Sequence, residues 1–265
     1  MDYTSGLEAI FRWIHVLAGI VWIGHLYFFN FVNGPFAGTL DPETRKKVVP
    51  ELMPRALYWF RWGAAWTWAT GVLLLGIVYY MGKQVLKDPD AGFTAGSIVM
   101  ILVAFLAFIA YDALFKSPLA KNPKVAITIA FVILAVISFA MVCPSIGGFS
   151  YRGFLIHTGA LFGTIMAFNV WFRIWPAQKQ IITAVKSGTA PDAGLVAMAG
   201  MRSRHNTYLS VPLLWAMIGQ HTTFYAGGNL GIPEQCAWFV FLVVILLGWH
   251  VVFQLYRKAA KVKGF

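Results

Sequence analysis

A chain of 265 residues that is 59% hydrophobic and only 12% charged, with a mean hydropathy of +0.68, cannot fold as a soluble globule with a polar skin. The bilayer is the expected solvent, and the expected fold class is an all-α integral membrane protein, a bundle of about seven transmembrane helices. The formal net charge of +11 needs no nucleic acid partner, because basic residues held at cytoplasmic loops and attracted to anionic lipid account for it.

Each span needs about 20 apolar residues to cross the hydrocarbon. In chain order the runs that satisfy this are about 7–32, 56–81, 93–114, 125–146, 154–175, 208–224 and 238–255, the sixth being the shortest. The connection after the first run carries Arg45, Lys46, Lys47 and Arg55, and that after the third carries Lys116, Lys121 and Lys124. The connection after the fifth carries Lys179, Lys186, Arg202 and Arg204, and the C-terminal tail carries Arg257, Lys258, Lys261 and Lys263. Those segments are expected inside, which places the N-terminus outside and the C-terminus in the cytoplasm. Asp2 and Glu8 stand where a cleaved signal would carry basic residues, so the first run is expected to be its own insertion signal.

The whole chain, 1–265, reads as a single membrane domain. Its longest non-spanning stretch, 177–204, is expected to form two short interfacial helices on the cytoplasmic side, broken at Gly188 to Pro191. Pro144 and Pro212 predict kinks or late helix starts. Cys143 and Cys236 both fall near the outer face, where an oxidising compartment would permit a disulfide. No C-x-x-C-H, glycine-rich phosphate loop or paired-cysteine metal motif is present in these residues.

Chemistry must then rest on the polar groups that the spans tolerate. All six histidines, His15, His25, His157, His205, His221 and His250, fall inside spans or at their ends. They sort into an outer layer of His15, His157 and His221 and an inner layer of His25, His250 and His205. His15 and His25 are ten residues apart, a rise of about 15 Å along a helix. Paired neutral imidazoles on facing helices are how a bundle holds haem b, so one or two haems are expected. His15 with His157 or His221 would hold an outer haem iron, and His25 with His250 an inner one. Gly19, Gly24, Gly63, Gly71, Gly159 and Gly163 could admit a flat porphyrin, although small residues also serve ordinary helix packing. Arg61, Trp62, Arg173 and Arg204 on the inside, with Arg12, Trp13 and Arg152 outside, could receive propionates.

Other polar groups have structural readings first. Asp112 and Lys116 are spaced for an i,i+4 ion pair. Asn30, Asn169 and Gln254 could join helices by hydrogen bonds, while Gln220, Thr222 and Thr223 beside His221 could line an outer site. Trp59, Trp62, Trp66 and Trp68 read as interfacial and packing aromatics.

Three stretches carry a family resemblance. They are Phe11-Arg-Trp-Ile-His15-Val-Leu-Ala-Gly19-Ile-Val-Trp22-Ile-Gly24; Pro54-Arg-Ala-Leu-Tyr-Trp59-Phe-Arg61-Trp62-Gly63; and Arg202-Ser-Arg204-His205-Asn206-Thr-Tyr-Leu-Ser-Val-Pro212, with His221 closing that span. Together they resemble the membrane domain of the bacterial membrane-bound urate oxidase family. The resemblance implies a multi-pass redox protein of the bacterial inner (cytoplasmic) membrane, linked in its best-known members to urate oxidation. In that family a c-type cytochrome tail takes the electrons. Its C-x-x-C-H motif is missing here, so the resemblance implies a separate cytochrome c or quinone, or service as a subunit of a larger membrane complex. Arg204, His205, Asn206 and Thr207 could supply donors and acceptors to a purine, or simply start a helix at the headgroups. The competing readings are a histidine-lined transporter or metal-handling permease, expected to be colourless, and a structural subunit whose histidines are merely packed.

Overall fold

The computed structural model describes residues 3–222, 224 and 231–263. Seven long helices dominate it. Helix α1, Tyr3–Tyr27, widens into a π-helical turn at Phe28–Asn33 and resumes as Gly34–Thr39. Helix α2, Pro42–Leu74, widens likewise at Leu75–Met81. Helices α3, Ala95–Lys116, and α4, Pro123–Val142, are regular. Helix α5, Tyr151–Asn169, passes through a third π-helical turn, Val170–Ile174, into Trp175–Lys186. Helices α6, Ala193–Gly219, and α7, Ala237–Ala259, complete the set. Among the described residues there is no β-strand, only an isolated antiparallel bridge between Leu86 and Phe149.

Six helical runs are long and apolar enough to cross a membrane: Thr4–Thr39, Pro42–Met81, Ala95–Lys116, Pro123–Val142, Tyr151–Lys186 and Ala237–Ala259. This is a multi-pass, all-α membrane protein, and its exposed side chains, such as Ile20, Leu106, Val136 and Leu247, are those of a lipid-facing surface. Helix α6 is long enough but is not one of the six, because Arg202, Arg204, His205 and Asn206 occupy its first half and the helix turns off at Gln220–His221. The end of the expected sixth span, 208–224, is therefore a turn through its described residues, with 223 outside them.

Helices extend beyond the expected membrane-crossing runs at two places. The stretch after the fifth span does not hold two separate short helices. Its break is where expected, with Gly188 at φ +72 and Asp192 accepting from the Leu195 amide at 2.8 Å to cap α6, but both flanking helices are continuous with the long helices beside them. Helix α2 also starts 14 residues before position 56, because Asp41 caps it by accepting from the amides of Glu43 and Thr44 and Pro42 stands in its first turn. Pro144 falls just beyond the last residue of α4, whereas Pro212 is carried inside α6.

The chain packs as two compact units. One holds Val72–Ile165 and Pro212–Leu247, together with the N-terminal residues through Glu8; the other holds Ala9–Gly71, Met166–Val211 and Gly248–Phe265. In the second unit α1 and α2 run antiparallel at close range. A Cβ on Gly63 would lie 3.0 Å from the Trp22 amide nitrogen and 3.2 Å from the Ala18 carbonyl, while Gly19 faces Thr67. Small residues let the two backbones touch, which is how helices associate where lipid removes the hydrophobic driving force.

In the first unit two connections are tied together. Lys87 N donates to Gly148 O, Ser150 N to Val85 O, and Ser150 Oγ to Gln84 O. Gly153 starts α5 directly beneath the Val85 carbonyl, with no room for a side chain. Phe241 of α7 packs edge-on against Phe154 and stacks on Phe162. The expected Asp112–Lys116 pair is present at 2.8 Å. Cys143 and Cys236 are free thiols.

Candidate functional site

The second unit carries a belt of polar side chains, and α6 supplies most of it. Ser203, Thr207 and Ser210 recur at helical spacing, with Asn206 on the adjoining face. Asn206 is fully buried: its Nδ2 donates to the Met166 carbonyl and its Oδ1 accepts from Asn169 Nδ2, both at 2.9 Å. Asn30 uses every polar atom, donating to Leu26 O and Ser203 Oγ and accepting from the Tyr256 hydroxyl at 2.8 Å. Ser210 gives its proton to the Thr207 carbonyl, so the Tyr27 hydroxyl, 2.9 Å away, is the donor to Ser210. The Tyr256 ring is stacked on Tyr208, met edge-on by Phe31 and covered by the Arg204 guanidinium at 5.6 Å. Arg202 is 1% exposed, Arg204 is exposed and His205 is half-buried.

Of the residues singled out from sequence, the belt thus brings together Arg204, Asn206, Thr207, Asn30 and Asn169. Tyr27, Ser203, Ser210 and Tyr256 went unnoticed, although the Ser203, Thr207, Ser210 stripe is a readable signal. Arg61 lies elsewhere in the same unit, with its guanidinium 4.1 Å from the Trp175 ring centroid and its carbonyl accepting from Trp171 Nε1.

The histidines are engaged one by one. His15 Nδ1 lies 3.2 Å from Thr70 Oγ1, and a Cβ on Gly71 would fall 3.0 Å from His15 Cε1, so that glycine makes room for the imidazole. His25 Nδ1 donates to the Val21 carbonyl at 2.7 Å. A carbonyl can only accept, so the proton is on Nδ1 and the Nε2 lone pair points away from the helix backbone. Nothing lies within 4 Å of where a Cβ on neighbouring Gly24 would be. His250 is exposed and its Nε2 is 3.2 Å from Gln254 Nε2; His221 is exposed in the turn after α6.

His157, in the first unit, is 0% exposed and uses both ring nitrogens. Nδ1 donates to Gly153 O at 2.7 Å, so Nε2 accepts from the Tyr80 hydroxyl at 2.8 Å. Phe149 lies against the ring at 4.8 Å. Among the described residues, no group of three or more His, Cys, Asp or Glu side chains is arranged to hold a metal ion. The expected porphyrin glycines divide accordingly: Gly63 and Gly71 are filled by α1, Gly159 by Met217, while Gly24 and Gly163 face open space.

A family model described as "Urate oxidase N-terminal" matches residues 36–263. The match takes in the Pro54–Gly63 and Arg202–Pro212 stretches and begins after the Phe11–Gly24 stretch. No curated protein and no solved structure matches the chain.

Proposed function

Because the chain belongs to the urate oxidase N-terminal family, we propose that it is a haem b-binding redox module of the bacterial inner membrane that passes electrons to a separate cytochrome c or quinone. The observation that carries the reading is the state of His25. Its Nδ1 is tied to the Val21 carbonyl, its Nε2 has no hydrogen-bond partner among the described residues, and Gly24 leaves space beside it. A backbone bond on one imidazole nitrogen fixes the ring and raises the basicity of the other, which suits an axial ligand.

The donor set favours some of the expected ligands over others. His250 is the natural companion of His25. It lies six residues before Tyr256 and His25 five residues before Asn30, and Tyr256 and Asn30 are hydrogen-bonded at 2.8 Å. Each histidine is thus less than about 10 Å along its helix from that joint. The Gln254 contact on His250 is exposed and easily replaced. His157 fits poorly, since ligation would cost it the Tyr80 bond inside a closed pocket. Haem, when bound, supplies one-electron chemistry. The chain's own part is to hold the imidazole, exclude water with apolar walls and keep the α6 belt rigid through Asn206 and Asn30. Arg204 and His205, midway along α6, would receive a purine-like substrate, with Asn206 holding the helix behind them.

The test is a reduced-minus-oxidised visible spectrum with a pyridine haemochrome on the purified chain and on His25→Ala and His250→Ala. The expected result is a b-type α-band that both substitutions abolish while the protein still melts cooperatively. A folded wild-type protein that is colourless and takes up no added haem overturns the proposal.

A further inference from the structure

Two cations share one indole in the second unit. The Trp175 ring carries the Arg61 guanidinium at 4.1 Å and the Lys179 ammonium at 5.5 Å, which places the charges within about 10 Å of each other, one screening length at 0.1 M salt. Tyr58 and Trp171 also flank the guanidinium, at 5.7 and 5.8 Å. Aromatic rings cover the guanidinium's faces and leave its in-plane N–H donors to be satisfied by something else. Arg61 Nε is buried with no hydrogen-bond partner, and among the described residues no carboxylate pairs with Arg61 or Lys179. Two like charges beside one ring, with a buried guanidinium donor left unsatisfied in an apolar protein, call for an oxyanion.

The surroundings identify its source. Arg61 lies five residues inside the expected span 56–81 and Trp175 ends the expected span 154–175, so both are expected near the cytoplasmic headgroups. The neighbouring Tyr58, Trp59, Trp62 and Phe172 are 48%, 57%, 40% and 55% exposed, an aromatic fringe of the kind that meets lipid at the membrane surface. Lys179 also borders an open cleft of about 590 Å³ whose wall includes the polar side chains of Gln180, Thr183 and Ser187. We infer that Arg61 and Lys179 bind the phosphate of an anionic phospholipid, with acyl chains along the exposed aromatics and a polyol headgroup in the cleft beside Lys179. A free phosphate ion would satisfy the charges but has no use for the apolar fringe. The inference does not depend on haem.

Native mass spectrometry of the full chain, with phosphatidylglycerol and phosphatidylcholine added in equal amounts, tests this. The wild type is expected to retain phosphatidylglycerol preferentially. Each of Arg61→Gln and Lys179→Gln should lower that preference roughly fivefold, and the double variant more than tenfold. Lys179 is exposed, so its variant reads the site even where Arg61→Gln harms folding. An unchanged preference in a folded Lys179→Gln protein overturns the inference. Displacement of phosphatidylglycerol by millimolar inorganic phosphate also overturns it, by assigning the site to the free ion.

Discussion

The Tyr80 hydroxyl lies 2.8 Å from His157 Nε2 and is the donor in that bond, because the other imidazole nitrogen already donates to the Gly153 carbonyl. One proton placement therefore links the π-helical end of α2 to the first turns of α5, under the Phe149 ring. Tyr80→Phe would leave a buried acceptor unmet, which is expected to lower stability by about 1–3 kcal/mol. Denaturation of the detergent-purified variant checks this, and a midpoint equal to wild type would show that the bond holds nothing. Haem content, read on the same sample, should stay unchanged, since both His157 nitrogens are already taken.

Gly63 of α2 and Gly163 of α5 should separate by what they touch. Gly63→Ala presses a methyl onto the α1 backbone and is expected to cost about 1–3 kcal/mol, because backbone cannot swing aside. Gly163→Ala meets nothing within 4 Å and should be neutral or gain up to about 1 kcal/mol from helix propensity. Thermal melts of the two variants compare them directly; equal losses would refute the close α1–α2 approach.

Asn169 and Asn206 bond to each other while buried, so their effects should not add. A double-mutant cycle with Asn169→Ala and Asn206→Ala is expected to give a coupling of about 0.6 kcal/mol, rising to at most about 1.7, the range for interhelical hydrogen bonds in membrane proteins. Zero coupling would mean that the belt is not a connected network.

The start of α2 should depend on pH. The Thr44 hydroxyl, then the Thr44 amide, hold the Asp41 carboxyl below its ordinary pKa. A carboxylate favoured in the folded state stabilises above the ordinary carboxylate range, and that stabilisation disappears as pH falls through the depressed value. Hydrogen exchange at Glu43, Thr44 and Arg45, corrected for intrinsic rates, should therefore lose protection in acid. With Asp41→Asn the protection should not vary with pH, and acid-insensitive protection in the wild type would contradict the cap.

Period and composition alone made the membrane class, the long helices, the Asp112–Lys116 pair and the break at Gly188 legible, because each depends on residues within a few turns of one another. The α6 stretch from Arg202 to Pro212 stood out as well, since charges and amides in so apolar a chain are conspicuous. Which histidine keeps an open nitrogen was not legible. His25 and His157 each give Nδ1 to the carbonyl four residues back, and what distinguishes them is Tyr80, a residue 77 positions away that only folding brings to His157. The same is true of the belt, where Asn30 and Tyr256 are 226 positions apart. A sequence records which side chains can donate or accept. Hydrogen bonding is satisfied at about 3 Å, and only the packing of helices decides which donor reaches which acceptor.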